Sequence, residues 1–174
     1  AFFSYTSLMK NQRFGIRIAG PAGLGMHSIM DIVASTFASQ RYEVITDSEY
    51  QSIIKGGVNF YDVNICRVAP YIERHIDVLI SLNDKNILPN LVDLNDGGVI
   101  IASKKWIDLV EKSIPDIRTK YKVYDPEITD KYENTYLLGI LAGITGVGPT
   151  PFEPSIERSF KKKGDEIVAK NIEI

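Results

Sequence analysis

The segment that most restricts the fold lies near the start, where a strand, a glycine-rich turn and an amphipathic helix follow one another directly. Over Arg13–Ala19, Phe14, Ile16 and Ile18 alternate with Arg17, the period-2 pattern of a strand. Gly20-Pro21-Ala22-Gly23-Leu24-Gly25 comes next. Met26, Met30, Val33 and Phe37 then fall on one helical stripe, with Asp31, Ser35 and Gln40 away from it, which predicts a helix. Glu43–Thr46 predicts a short second strand. Strand, glycine turn, helix and strand in this order are the signature of a βαβ unit.

The rest of the chain keeps the alternation. Val58–Val68 alternates imperfectly and reads as one strand or a hairpin arm, stopped by Pro70. Asp77–Leu82 is nearly continuous and apolar, as expected of a strand buried on both faces. Asn83-Asp84 offers an N-cap to a helix with Ile87, Leu88 and Leu91 on its apolar face, ended by Gly97-Gly98. Val99–Ile101 predicts a buried strand, Trp106, Leu109 and Val110 a short helix, and Tyr121–Tyr124 a last strand. Leu137, Ile140, Leu141 and Ile144 mark the clearest late helix, from Lys131 to about residue 144. Phe152, Ile156 and Phe160 mark another, closed by Lys161-Lys162-Lys163 and Gly164. Gly164–Ile174 reads as a plain terminal helix or as the open end of a piece cut from a longer chain. The alternation predicts an α/β fold with a mainly parallel sheet.

Composition narrows the function classes. A length of 174 residues suits one domain. The formal net charge is −2, which excludes nucleic-acid binding by bulk positive charge. No apolar run approaches the ~18 residues that span a bilayer, so no membrane role is expected. Cys66 is the single cysteine. One thiol cannot form an internal disulfide, a four-cysteine zinc site or a cysteine-held iron–sulfur cluster. It fits an intracellular, cytoplasmic chain. Residues 1–12 read as a tag remnant or loose arm, ahead of a single domain over 13–174.

The glycine turn is suited to an anion. A helix N-terminus directs unpaired N–H groups outward, and glycines let a phosphate approach them. The G-x-G-x-x-G dinucleotide fingerprint is incomplete in either frame, because Ala22 follows Gly20 by two and Ser28 follows Gly23 by five. No Lys-Ser/Thr pair follows, so this is not a Walker A loop. A tight strand–helix turn without ligand, a phosphate site and a dinucleotide site with Asp47 on the ribose all remain open. A second glycine pair, Lys55-Gly56-Gly57, precedes the Val58–Val68 strand. Lys55 can pair with an anion, and Ser52 and Asn59 can hydrogen-bond one; the bland alternative is a turn beside a solvated charge.

Taken together, the two glycine sites resemble the gamma subunit, or gamma domain, of the 2-oxoacid:ferredoxin oxidoreductases, the pyruvate, 2-oxoglutarate and ketoisovalerate enzymes. The family loop typically reads G-x-G-G-Q-G; Gly20, Gly23 and Gly25 fit it, while Ala22 and Leu24 replace a Gly and a Gln. Tyr50-x-Ser52-x-Ile54-Lys55-Gly56-Gly57-x-Asn59 is closest to forms in which the gamma domain is fused ahead of the alpha part. Asn134 before Leu137-Leu138-Gly139, and Phe160 and Asn171, also match. The resemblance runs from about Arg13 to the end.

The resemblance implies a Rossmann-like three-layer sandwich, a gamma-type domain within a larger oxidoreductase. It implies coenzyme A as the candidate ligand of this domain, at Gly20, Ala22, Gly23, Leu24, Gly25, Lys55, Gly56, Gly57 and Asn59. Thiamine diphosphate, magnesium and iron–sulfur clusters are implied only in partner domains: an alpha, pyrimidine-binding part and a beta, thiamine diphosphate-binding part, with ferredoxin reached through them. The whole enzyme decarboxylates a 2-oxo acid oxidatively, and no catalytic or metal-binding residue is expected on this piece alone. Two other classes stay open: a stand-alone NAD(P)-binding enzyme, and a purely structural assembly domain that has lost its ligand.

Other chemistry-bearing residues take plain expectations. His27 sits by chance near the helix start, and His75 lacks a paired ligand at helical spacing. Cys66 is a packed hydrophobe rather than a nucleophile. Asp47, Ser48 and Glu49 are a capped loop, Lys161–Lys163 a solvated helix end, with a coenzyme A 3′-phosphate contact as the alternative that the resemblance allows, and Trp106 core or interface.

Overall fold

The computed structural model describes residues 13–49, 59–69 and 71–174. Its strands are β1 (Arg13–Ala19), β2 (Glu43–Glu49), β3 (Phe60–Cys66), β4 (Ile76–Ser81), β5 (Leu94–Ala102) and β6 (Lys122–Tyr124). They form one sheet in the order β2-β3-β1-β4-β5-β6. β1, β4, β5 and β6 pair in parallel. β3 is antiparallel to both β1 and β2, so it alone runs against the rest. The mainly parallel sheet holds.

The βαβ reading is refined in one respect. β2 lies parallel to β1 but does not touch it, because β3 is wedged between them. The helix that joins them, α1 (Met26–Ser39), buries Met26, Met30, Val33 and Phe37, the whole predicted stripe. α5 (Glu133–Thr145) and α6 (Glu153–Phe160) share its face of the sheet, where Leu137, Leu141 and Ile156 meet Ile16, Ile18, Val63 and Val78. α2 (Ile87–Asn90), α3 (Lys104–Glu111) and α4 (Ile117–Lys120) supply the second core, where Ile87, Ile107 and Ile117 join Leu79 and Ile100. Helices on both faces of the sheet make three layers. The last helix, α7 (Asp165–Glu173), packs against α6.

β4 shows why its run is apolar without alternation. Val78 and Ile80 face one core and Leu79 the other, all within 1% of full burial. β1 differs. Its Phe14, Ile16 and Ile18 side is core, and the opposite side carries two buried arginines. Arg17 is 2% exposed. Its Nε and Nη2 donate to the two carboxylate oxygens of Asp62 at 2.7 Å each. Its Nη1 donates to Asp93 at 2.6 Å and Asn90 at 3.1 Å. The guanidinium lies 3.7 Å from the ring centre of Phe60, a cation–π contact. Burial pushes the Asp62 carboxyl up, against the opposing pull of Arg17. Arg13 donates to Asn64 Oδ1 and to the carbonyls of Glu73 and His75. Gly15 leaves room for that side chain: a Cβ there would stand 2.6 Å from Arg13 Nη2.

Several boundaries move for physical reasons. β2 extends to Glu49 because its polar end pairs with the start of β3, Glu49 opposite Phe60. Gly97-Gly98 does not end a helix; both lie inside β5, in the stretch where its register with β4 shifts. α2 is only four residues long, its N-cap is Asn86, and Asn83 Oδ1 instead accepts from Asn86 N. Leu88 and Leu109, expected to face the core, are 57% and 43% exposed, and Ile107 takes the core position in α3. β3 ends at Cys66, leaving Val68 exposed. The expected arm 1–12 and Pro70 lie outside the described residues.

Candidate functional site

β1 and β4 lie side by side, yet the chain leaves them toward opposite faces of the sheet, α1 after β1 and α2 after β4. In open α/β sheets the crevice at such a reversal, beyond the carboxyl ends of the strands, is where ligands bind. The glycine turn occupies that position. Leu82 N donates to Ala19 O at 2.9 Å, closing the two strand ends together.

Two glycines are required by the packing. A Cβ on Gly20 would come within 2.9 Å of Leu82 Cβ. Gly25, the N-cap of α1, has φ +82, and a Cβ there would stand 2.7 Å from Asn134 Nδ2. That amide nitrogen donates to Leu24 O at 2.9 Å, so the first turn of α5 holds the loop in place. Ala22, Gly23 and Leu24 are exposed, with Leu24 at 47%.

The start of α1 is electrostatically open. The first N–H groups of a helix have no intrahelical partner. Here no side chain caps them, and no acidic residue sits in the first turn to offset the positive end of the helix dipole. An anion is the chemical complement of that arrangement. The loop therefore fits a phosphate-bearing group, held by the Gly23–Met26 backbone.

Of the other sequence-predicted site residues, Asn59 is buried and meets the loop: Gly20 N donates to Asn59 O at 3.2 Å. Lys55, Gly56 and Gly57, with Ser52, lie outside the described residues. Asp47 sits on β2 at the exposed edge, separated from β1 by β3 and so by two strand spacings, roughly 10 Å. In a dinucleotide site the ribose acid belongs on the strand beside β1. His27 is exposed and packs edge-on to Tyr61, with ring centres 5.7 Å apart. Cys66 is buried on β3. Trp106 Nε1 donates to Glu133 Oε1 at 3.0 Å.

The loop forms one wall of a cavity of about 320 Å³. Leu82, Asn134, Lys131 and Lys163 contribute to the other walls. Lys163 belongs to the lysine run that reads as a solvated helix end, and Lys131 gives no signal in sequence. Lys163 reaches the site because α6 and the turn Lys161–Lys163 bring the chain back beside α5, and Lys131 because it stands three residues before Asn134. Among the described residues, no group of three or more His, Cys, Asp or Glu is arranged to hold a metal ion. No helix there is long and apolar enough to cross a membrane.

The pyruvate ferredoxin/flavodoxin oxidoreductase family matches this chain over residues 15–174. The chain belongs to that family. Its curated relatives include a 2-oxoacid:ferredoxin oxidoreductase subunit alpha of Sulfolobus sp., 26% identical over 156 residues that make up 86% of this chain. The corresponding subunit of Sulfurisphaera tokodaii is 25% identical over the same length. The chain spans only 24% of either relative.

Solved family members share the fold. A 2-oxoglutarate:ferredoxin oxidoreductase of Magnetococcus marinus, solved with 2-oxoglutarate, coenzyme A and succinyl-CoA bound, superposes with a TM-score of 0.78 at 24% identity. That match covers 94% of this chain and 30% of the other. A keto/oxoacid ferredoxin oxidoreductase gamma subunit of Geobacter sulfurreducens gives 0.70 at 20% identity, covering 92% of this chain and 94% of the subunit. The pyruvate ferredoxin/flavodoxin oxidoreductase family thus accounts for the α/β sandwich and for homology to subunits of multi-subunit oxidoreductases.

Proposed function

We propose that this chain is the gamma domain of a 2-oxoacid:ferredoxin oxidoreductase and that its glycine loop holds coenzyme A. The observation that carries the reading is the open N-terminus of α1 at the sheet reversal, with Gly20 bonded to Asn59, which follows Lys55-Gly56-Gly57 by two residues in sequence. Coenzyme A bound to the Magnetococcus marinus enzyme supports it. In this reading the Gly23–Met26 backbone binds pyrophosphate, Lys55 adds charge, and Gly56-Gly57 and Asn59 offer a second approach. Ala22 and Leu24 project their side chains into solvent and leave the backbone available. Thiamine diphosphate, magnesium, the clusters, the 2-oxo acid and ferredoxin belong to alpha and beta partners.

Calorimetric titration of coenzyme A into the assembled enzyme tests this. Saturable binding that falls about tenfold or more with Lys55→Ala is expected, as for loss of a charge-assisted contact to phosphate. No binding by the assembly, or binding indifferent to Lys55, overturns the ligand assignment. The separation of Asp47 from β1 weighs against NAD(P), and an NADH fluorescence titration that stays flat at millimolar ligand is the expected control.

A further inference from the structure

We infer that Lys131 and Lys163 form a second phosphate site, in the cavity that the glycine loop also lines, which reads the 3′-phosphate of coenzyme A. The inference rests on the coenzyme A reading above and adds what that reading leaves unassigned: how the ligand is told from its dephosphorylated form.

The charge balance of the cavity carries the argument. Four ionisable side chains line it, Asp130, Lys131, Glu133 and Lys163, and they look neutral as a set. Glu133, however, is offset by a third lysine, which leaves Asp130 alone against the pair. Asp130 accepts from its own loop, from Tyr132 N at 2.8 Å and the Tyr136 hydroxyl at 3.4 Å. Glu133 accepts from Trp106 Nε1 at 3.0 Å and is paired with Lys105 at 3.4 Å. Neither lysine has an ion pair among the described residues. Lys131 Nζ lies 5.5 Å from the Tyr132 ring centre and Lys163 Nζ 5.0 Å from that of Phe160. Aromatic faces hold an ammonium in place without neutralising it. Asp130 keeps its negative charge, so the cavity carries a net positive charge of one, in two ammonium groups each steadied by a ring.

Placement agrees. An adjoining cavity of about 250 Å³ shares Lys131, Asn134 and Lys163 in its walls. The two lysines thus line both spaces together with Asn134, which itself is bonded to the glycine loop. A ligand bound there needs phosphate at two separate positions. Coenzyme A carries a pyrophosphate and, on the ribose, a 3′-phosphate. The backbone N–H groups of the loop suit the first, and two flexible ammonium groups suit the second, whose charge is greater.

The test compares coenzyme A with 3′-dephospho-coenzyme A by calorimetry on the assembled enzyme. The unaltered assembly should prefer coenzyme A by about tenfold or more. Lys131→Ala/Lys163→Ala should lower coenzyme A affinity until that preference is lost, and leave dephospho-coenzyme A binding unchanged. Lys161→Ala/Lys162→Ala removes the same charge outside the cavity and should keep the preference. If coenzyme A binds and the Lys131/Lys163 pair leaves the ratio untouched, or if the Lys161/Lys162 pair abolishes it equally, this inference is overturned while the coenzyme A reading stands. If the unaltered assembly binds neither ligand, both fall.

Discussion

At the scale of single residues, the site depends on Gly25 and the fold on Arg17. Gly25 combines a left-handed φ with a contact that a methyl group would occupy. Gly25→Ala should cost about 1–3 kcal/mol, the usual cost of a non-glycine residue held in sparsely populated backbone, read as a drop in the urea midpoint. It should also weaken coenzyme A binding, because the displaced Asn134 amide no longer fixes Leu24 O. Arg17→Met removes the one cationic partner that Asp62 has among the described residues and leaves that buried carboxylate unpaired, while Asp93 keeps Arg74. A loss of about 3–5 kcal/mol is expected, as when one member of a buried ion pair is removed. Arg17 shows where sequence reading stops. Its alternation with Phe14, Ile16 and Ile18 assigned it to the other side of β1, but not the burial of that side. The carboxylates that make burial tolerable, Asp62 and Asp93, lie far along the chain.

At the scale of elements, periodicity served where each element meets its own core. β1, α1 and β4 have near-continuous or clean patterns, and their expected and observed extents agree closely. The wedging of β3 between β1 and β2 left no such mark, since an alternating strand reads the same beside either neighbour. Gly97-Gly98 was misleading because glycine serves a strand irregularity as readily as a helix end. The packing of α3, α4 and β6 is tied by one ion cluster. Arg118, on α4, donates to Asp125 through Nη1 and Nη2 and pairs with Glu111 at the end of α3. Its hydrogen bonds hold the Asp125 carboxyl below the ordinary aspartate value. A carboxyl depressed in the folded state adds stability above its unfolded value, about 3.9, and loses it as pH falls through the folded value. Asp125→Asn should thus be less stable than the unaltered chain at neutral pH, by up to about 1 kcal/mol for so solvated a pair. The gap between their urea midpoints should close as the pH is taken below the folded value.

For the whole molecule, the site was half legible. The glycine loop and Asn59 could be marked in sequence because their chemistry is written in neighbouring residues. The pairing of Lys131 with Lys163 could not, since only the return of the chain beside α5 brings Lys163 to the cavity that Lys131 already lines. The family assignment adds that this chain covers about a quarter of its curated relatives. In the proposed assembly the isolated chain should show no 2-oxoacid-dependent reduction of ferredoxin, and activity should return when alpha and beta partners are supplied; turnover by the chain alone would refute that division of labour. The Arg17 fork also governs timing. β1 is made early, but the guanidinium on its buried side waits for Asp62, Asn90 and Asp93. A growing chain therefore cannot close the centre of its sheet until Asp93, 76 residues beyond Arg17, has left the ribosome.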